Sequence, residues 1–121
     1  MMGGRKVIDI FKALSEESRL RILSILIDGE MCVCEIEACL NMTQSNASRH
    51  LNVLRQSGIL LSYKKAQWTY YRMNEQFMEQ NKELYDYLCV NLKNLPTYQD
   101  DIKNKNICHE RSICNQSEHP H

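Results

Sequence analysis

The sequence predicts a mainly α (α+β) fold completed by one β-hairpin, and three observations carry that prediction. Apolar residues recur at three- and four-residue spacing over most of the chain. Two short helical stretches divided by the polar turn Asn41 to Thr43 are followed at once by a segment rich in β-branched and aromatic residues. From Ala38 to Asn74 there is no Asp or Glu, while Arg49, Arg55, Lys64, Lys65 and Arg72 supply fixed positive charge. This last feature puts a phosphate-facing surface on a chain whose 15 cations otherwise balance 15 acids.

At 121 residues there is enough chain for one core and hardly for two. Val7, Ile10, Phe11 and Leu14 mark a short amphipathic helix over Arg5 to Leu14. Ser15 is placed to cap a second helix, with Glu16 and Glu17 in its first turn, where the positive end of the dipole favours them. Its wide apolar face holds Leu20, Ile22, Leu23, Leu26 and Ile27, and Gly29 ends it. A third helix is expected over Cys32 to Asn41, burying Val33, Ile36 and Leu40. Thr43 then caps a fourth, with Ala47, Leu51 and Leu54 inward and Gln44, Ser45, Asn46, Ser48, Arg49 and His50 crowding its first turns. Two short helices joined by a polar turn make a helix-turn-helix corner.

After Gly58, Ile59 to Tyr63 and Trp68 to Met73 read as paired strands joined by the polar loop Lys64 to Gln67. That hairpin is a wing beside the groove which the fourth helix would enter. Trp68, Tyr70 and Tyr71 are read as strand packing ahead of base stacking. A single long helix is expected from Glu75 to Leu95, with Phe77, Leu84, Leu88, Leu92 and Leu95 in a stripe, stopped by Pro96. The stripe needs a partner, so a homodimer through the first and this last helix is expected. The division is then 1–97 for the winged helix-turn-helix with its dimerisation helices. Residues 98–121 become a flexible tail containing Cys108, His109, Cys114, His119 and His121.

The longest apolar run is far shorter than a membrane span of about 20 residues, and the amino terminus shows no apolar signal core, so no membrane partner and a cytoplasmic location are expected. In a reducing compartment six cysteines point to thiolate chemistry rather than a disulfide framework. No nucleophile, base and stabiliser stand at recognisable spacing, so the chain is not expected to be an enzyme.

Cys32-Val33-Cys34, then Gln44-Ser45-Asn46-Ala47-Ser48-Arg49-His50-Leu51, Leu54-Arg55-Gln56-Ser57-Gly58 and the wing ending Trp68-Thr69-Tyr70-Tyr71-Arg72 together resemble the ArsR/SmtB family of metal-sensing repressors, and most its arsenic-responsive branch. The resemblance covers about Phe11 to Asn91. It implies a dimeric winged helix-turn-helix repressor that holds an inverted-repeat operator, without a required cofactor, and releases it when an inducer binds. Genes for metalloid or metal efflux are the usual target. By position, Gln44, Ser45, Ser48 and His50 fall where relatives touch DNA, and Arg49 is placed for phosphate. The physics agrees, since short hydroxyl and amide side chains reach base edges while Arg49, Arg55, Lys64 and Lys65 displace counterions.

Soft thiolates at Cys32 and Cys34 suit As(III) or Sb(III). On an intact helix the two residues lie about 200° apart, so capture is expected to require unwinding at the helix start. Relatives often carry a third cysteine where this chain has Glu37. Cys39 is the nearest substitute, about 140° around from Cys34, with Cys108 and Cys114 as further candidates. The alternative inducers are Cd(II), Pb(II) or Zn(II), held with the tail cysteines. The family's other metal site is not expected, because no His lies between His50 and His109. A thiol redox protein or metal carrier ranks below both, having no use for an acid-free recognition helix and wing.

Overall fold

The computed structural model describes residues 2–111, with side chains described for 6–108. Helices α1 (Met2–Leu14) and α2 (Glu17–Leu26) lead into a two-residue strand β1 (Met31–Cys32), then α3 (Val33–Leu40) and α4 (Gln44–Gln56). Strands β2 (Leu60–Lys65) and β3 (Trp68–Met73) make the hairpin. Helices α5 (Glu75–Gln80) and α6 (Lys82–Asn91), a 3-10 turn at Leu92–Asn94, and α7 (Tyr98–Arg111) complete the described chain. The fold is the mainly α winged helix-turn-helix that the sequence predicts.

The core is centred on α2. Ile22, Leu23, Ile25 and Leu26 are fully buried against Ile36 and Leu40 of α3, Leu51 and Leu54 of α4, and Ile59 and Leu60 at the start of the hairpin. Each such side chain contributes about 1.5–3 kcal/mol by leaving water. Around this centre α4 is fixed by one face only, which leaves its other face free. Thr43 caps it as expected, its hydroxyl accepting from the Asn46 N–H at 3.2 Å.

Four departures from the sequence reading bear on function. The wing has a third strand: β1 pairs antiparallel with β3, giving the order β1-β3-β2, with Met31 opposite Tyr71 and Cys32 opposite Tyr70. Consequently α3 begins at Val33, and Cys32 is its N-cap in an extended conformation (φ −82°, ψ 160°) rather than its first helical residue.

The single long helix expected over Glu75 to Leu95 is broken at Asn81 (φ −128°, ψ 50°). The Asn81 amide donates to Phe77 O at 3.4 Å, the kind of local side-chain bond that competes with helix continuation.

The segment expected to be a flexible tail is, over Tyr98–Arg111, a helix packed on α3 and α2. Its buried positions are Asp101 (1% exposed), Lys105 and Cys108, with Ile102 half-buried against the core, so little apolar period announces it. Asp101 takes both ends of the Arg21 guanidinium at 2.9 and 3.0 Å and accepts from Thr97 Oγ1 at 2.9 Å. The side chains of His109, Cys114, His119 and His121 lie outside the described residues.

Candidate nucleic-acid interface and its thiol pair

The outer face of α4 presents Gln44, Ser45, Asn46, Ser48 and Arg49, all exposed, while Ala47, Leu51 and Leu54 anchor the opposite face in the core. Arg55 is exposed one turn further on, its guanidinium held by Asn52 Oδ1 at 2.6 Å. Lys64 and Lys65 are also exposed, but they sit in the last rungs of β2, not in the loop. Only Ala66 and Gln67 make the turn, with Ala66 in the left-handed region (φ 58°). Tyr63 and Tyr70 stack across the hairpin with centroids 5.5 Å apart, stiffening the wing. Glu30 beside the Tyr63 phenol pushes its pKa up to about 12.

His50 is placed otherwise than the sequence led us to expect. Its side chain is turned into the protein, with the residue 2% exposed, so it is withdrawn from the DNA-facing row. Arg19 Nη1 lies 3.2 Å from His50 Nδ1, and His50 Nε2 lies 3.2 Å from Glu16 Oε1. A guanidinium only donates, so Nδ1 accepts, and Nε2–H is left to donate to the carboxylate. Burial lowers the His50 pKa, Glu16 opposes that, and Arg49 and Arg19 reinforce it. The neutral ring matches this bonding. Arg19 also donates to Ala13 O at 2.7 Å and Lys12 O at 3.2 Å. It therefore locks the end of α1, the start of α2 and the middle of α4 together. Sequence patterning missed Arg19 and Glu16, because an arginine and a glutamate in a first helical turn read as solvated surface.

The sulfurs of Cys32 and Cys34 do come together, 2.7 Å apart. The expected obstacle of 200° around a helix does not arise, since Cys32 is in strand β1 and only Cys34 is helical. No unwinding is required for the two sulfurs to meet. Glu35 closes the arrangement as a capping box: its carboxylate accepts the Cys32 N–H at 3.0 Å, and the Cys32 sulfur stands where a serine hydroxyl usually accepts the Glu35 N–H. Cys32 is fully buried, whereas Cys34 is half-buried at the edge of a 490 Å³ cleft. Glu37 of α3, Gln44 and Ser48 of α4, and Trp68 and Tyr71 of β3 line the same cleft. The thiol pair thus borders both elements that would meet DNA. Within this wall the Trp68 indole N–H is buried with no hydrogen-bond partner among the described residues.

Cys39 does not join the pair. Its thiol points to α7, donating to Asn104 O at 3.6 Å, and it is 1% exposed. Cys108 is a neighbour of Cys39 in the same buried core. Among the described residues no group of three or more His, Cys, Asp or Glu stands ready to hold a metal ion. What is present is a pair of adjacent sulfurs, the donor type that soft ions favour.

Fold and site together define a winged helix-turn-helix regulator with a dithiol beneath its reading head. Residues 16–62 match the family profile described as bacterial regulatory protein, arsR family. The arsenical resistance operon repressor of Bacillus subtilis is 36% identical over 86 residues, covering 70% of this chain and 80% of that protein. The chain therefore belongs to the arsR family, whose members are transcriptional regulators and not enzymes. The arsenic resistance transcriptional regulator ArsR2 of Pseudomonas putida is 48% identical over 67 residues, 54% of this chain and 58% of that protein. The chain spans little more than half the length of several such curated relatives. Among solved structures, the homodimeric winged helix-turn-helix DNA-binding domain of a possible ArsR-family regulator from Mycobacterium bovis superposes with a TM-score of 0.62 at 26% identity. It covers 72% of this chain and 81% of that one. No helix among the described residues is long and apolar enough to cross a membrane.

Proposed function

We propose that this protein is a transcriptional repressor that holds an inverted-repeat operator as a homodimer and releases it when Cys32 and Cys34 capture trivalent arsenic or antimony. The observation that carries the reading is the seat of Cys32. It is at once the N-cap of α3 and a rung of the wing sheet, opposite Tyr70. Cys32 and Cys34 each give up a thiol proton as a metalloid–sulfur bond forms, and the hydroxides displaced from the metalloid leave as water. The new bond fixes the direction of the Cys32 side chain and turns its sulfur from the Glu35 N–H, so the cap of α3 loosens while Cys32 still tethers β3. Both α4, packed on α3, and the wing feel the change. A coupling of about 1–3 kcal/mol would weaken operator binding some 5- to 150-fold. The arsenic resistance named for the Pseudomonas and Bacillus relatives supports this inducer class.

Gln44, Ser45, Asn46 and Ser48 are assigned to base edges, and Arg49, Arg55, Lys64 and Lys65 to phosphates. The homodimer is assigned to the faces of α1 and α6. There Phe11 is 58% and Tyr87 62% exposed at an apolar groove that also contains Leu14, Leu84 and Leu95, and Val90 of α6 is 67% exposed.

Fluorescence anisotropy of a labelled operator from the gene's own upstream region tests the proposal. Reduced protein should bind with two protomers per site. Arsenite or antimonite should release it, and Cys34→Ser should abolish that release. Release by cadmium, lead or zinc alone, lost on Cys114→Ser, would replace the metalloid with a thiophilic divalent ion. No binding to any operator fragment would overturn the repressor reading.

A further inference from the structure

The second thiol pair, Cys39 on α3 and Cys108 on α7, is used by nothing described so far. Both residues are buried, at 1% and 5% exposed, and both belong to the hydrophobic core. The two thiols are neighbours across the contact between α3 and α7. The backbones around them are clamped from two sides. Asn104, one helical turn before Cys108, donates its amide to Cys39 O at 3.2 Å and accepts the Cys39 thiol on its own carbonyl. Arg21 bridges Leu40 O at 3.1 Å and Asp101 at 2.9 Å. A pair of thiols held as neighbours across two packed helices has a high effective concentration of each sulfur for the other.

We propose that Cys39 and Cys108 form a redox site, closing to an intramolecular disulfide that staples α7 to the C-terminal end of α3 when the protein meets a hydroperoxide. In the first step the Cys108 sulfur takes an oxygen atom from the hydroperoxide, which leaves as the alcohol or as water, and Cys108 becomes a sulfenic acid. The Cys39 sulfur then attacks the Cys108 sulfur. The S–S bond forms, the S–O bond breaks, and the hydroxyl departs with the Cys39 proton as water. Two electrons pass from the thiol pair to the peroxide. Cys108 is the entry point, because at 5% exposed it is the less buried of the two, against 1% for Cys39. Burial pushes the Cys39 thiol up, and Lys105 only partly offsets that, so Cys39 waits as a thiol until its partner has been oxidised. The disulfide would close most of the chain into a ring and so constrain the unfolded state. The site is independent of the inducer reading.

The test uses the full-length reduced protein, treated with hydrogen peroxide. Remaining thiols are then blocked by N-ethylmaleimide, and the digest is mapped by mass spectrometry under non-reducing conditions. The expected product is a peptide pair joined through Cys39 and Cys108, with a thermal midpoint several degrees above that of the reduced protein. Neither should appear in Cys39→Ser or in Cys108→Ser. A Cys32→Ser/Cys34→Ser double variant should form the bond as wild type does, which keeps the test decisive if either core variant folds poorly. Alkylated Cys39 and Cys108 after peroxide treatment would overturn the proposal. So would cross-links confined to Cys32–Cys34, to Cys114 or between chains.

Discussion

The two ends of α3 each carry a pair of thiols, and the pairs are built in opposite ways. At the N-terminal end both cysteines come from one short stretch, the pair forms through a single change from strand to helix at Cys32, and Cys34 opens on a cleft shared with α4 and the wing. At the C-terminal end the partners are 69 positions apart, the pair exists only because α7 docks, and both sulfurs are in the core. The first pair is placed to transmit a local event to the reading head. The second is placed to set how firmly α3 is held. Position relative to packing, and not residue type, separates a sensor-like thiol from a staple-like one.

The comparison treats α3 as a rigid bar between the two pairs, and its fully buried Ile36 is the place to break it. Ile36→Ala should cost about 2–5 kcal/mol through lost burial and the cavity left behind, read from the urea unfolding midpoint. It should also raise the alkylation rates of Cys34 and Cys108 together. Unequal acceleration would mean that the two ends move separately.

Asp101→Ala is next in size. It strips the buried carboxylate from Arg21 and Thr97 and should cost about 1.5–3 kcal/mol. Here Cys108 labelling should accelerate while Cys34 labelling stays near its wild-type rate.

Glu35→Ala attacks the other end. Loss of the capping carboxylate should cost about 1 kcal/mol and speed alkylation of Cys34 with no change at Cys108.

The smallest effect at neutral pH is expected for His50→Gln, which probes the frame that holds α4 beside α3. Burial depresses the folded-state pKa of His50, so the unfolded chain binds a proton first as pH falls. Stability is therefore full above about 6.5, the unfolded value, and declines as pH drops from there toward the lower folded value. The thermal midpoint of the wild type should fall more between pH 7.5 and 5.5 than that of His50→Gln. Equal slopes would show that His50 does not titrate with unfolding.

Much of this was legible in advance where local chemistry and burial agree. The Thr43 cap, the inward Ala47, Leu51 and Leu54, and the exposed polar row from Gln44 to Arg49 follow from helical period alone. The thiol pair was legible as residues but not as geometry. A shift of one residue in where α3 begins turned an apparent 200° separation into contact, and that shift is imposed by the pairing of β1 with β3. Tertiary partners of this kind leave no period in the sequence. The same holds for α7, whose inner face of Asp101, Lys105 and Cys108 reads as solvated until Arg21 is seen to cover it. His50 was misread for a related reason. An imidazole in an exposed-looking turn is indistinguishable by pattern from one that Arg19 and Glu16 draw inward.

Strand β1 contains only Met31 and Cys32, and few ladder bonds can be formed over so short a length. Cooperative strength in a sheet grows with the number of rungs, so this edge is the part of the wing that opens at least cost in free energy. The protein thus seats Cys32 on the shortest strand of its sheet. A disturbance there has few rungs to overcome before the edge parts.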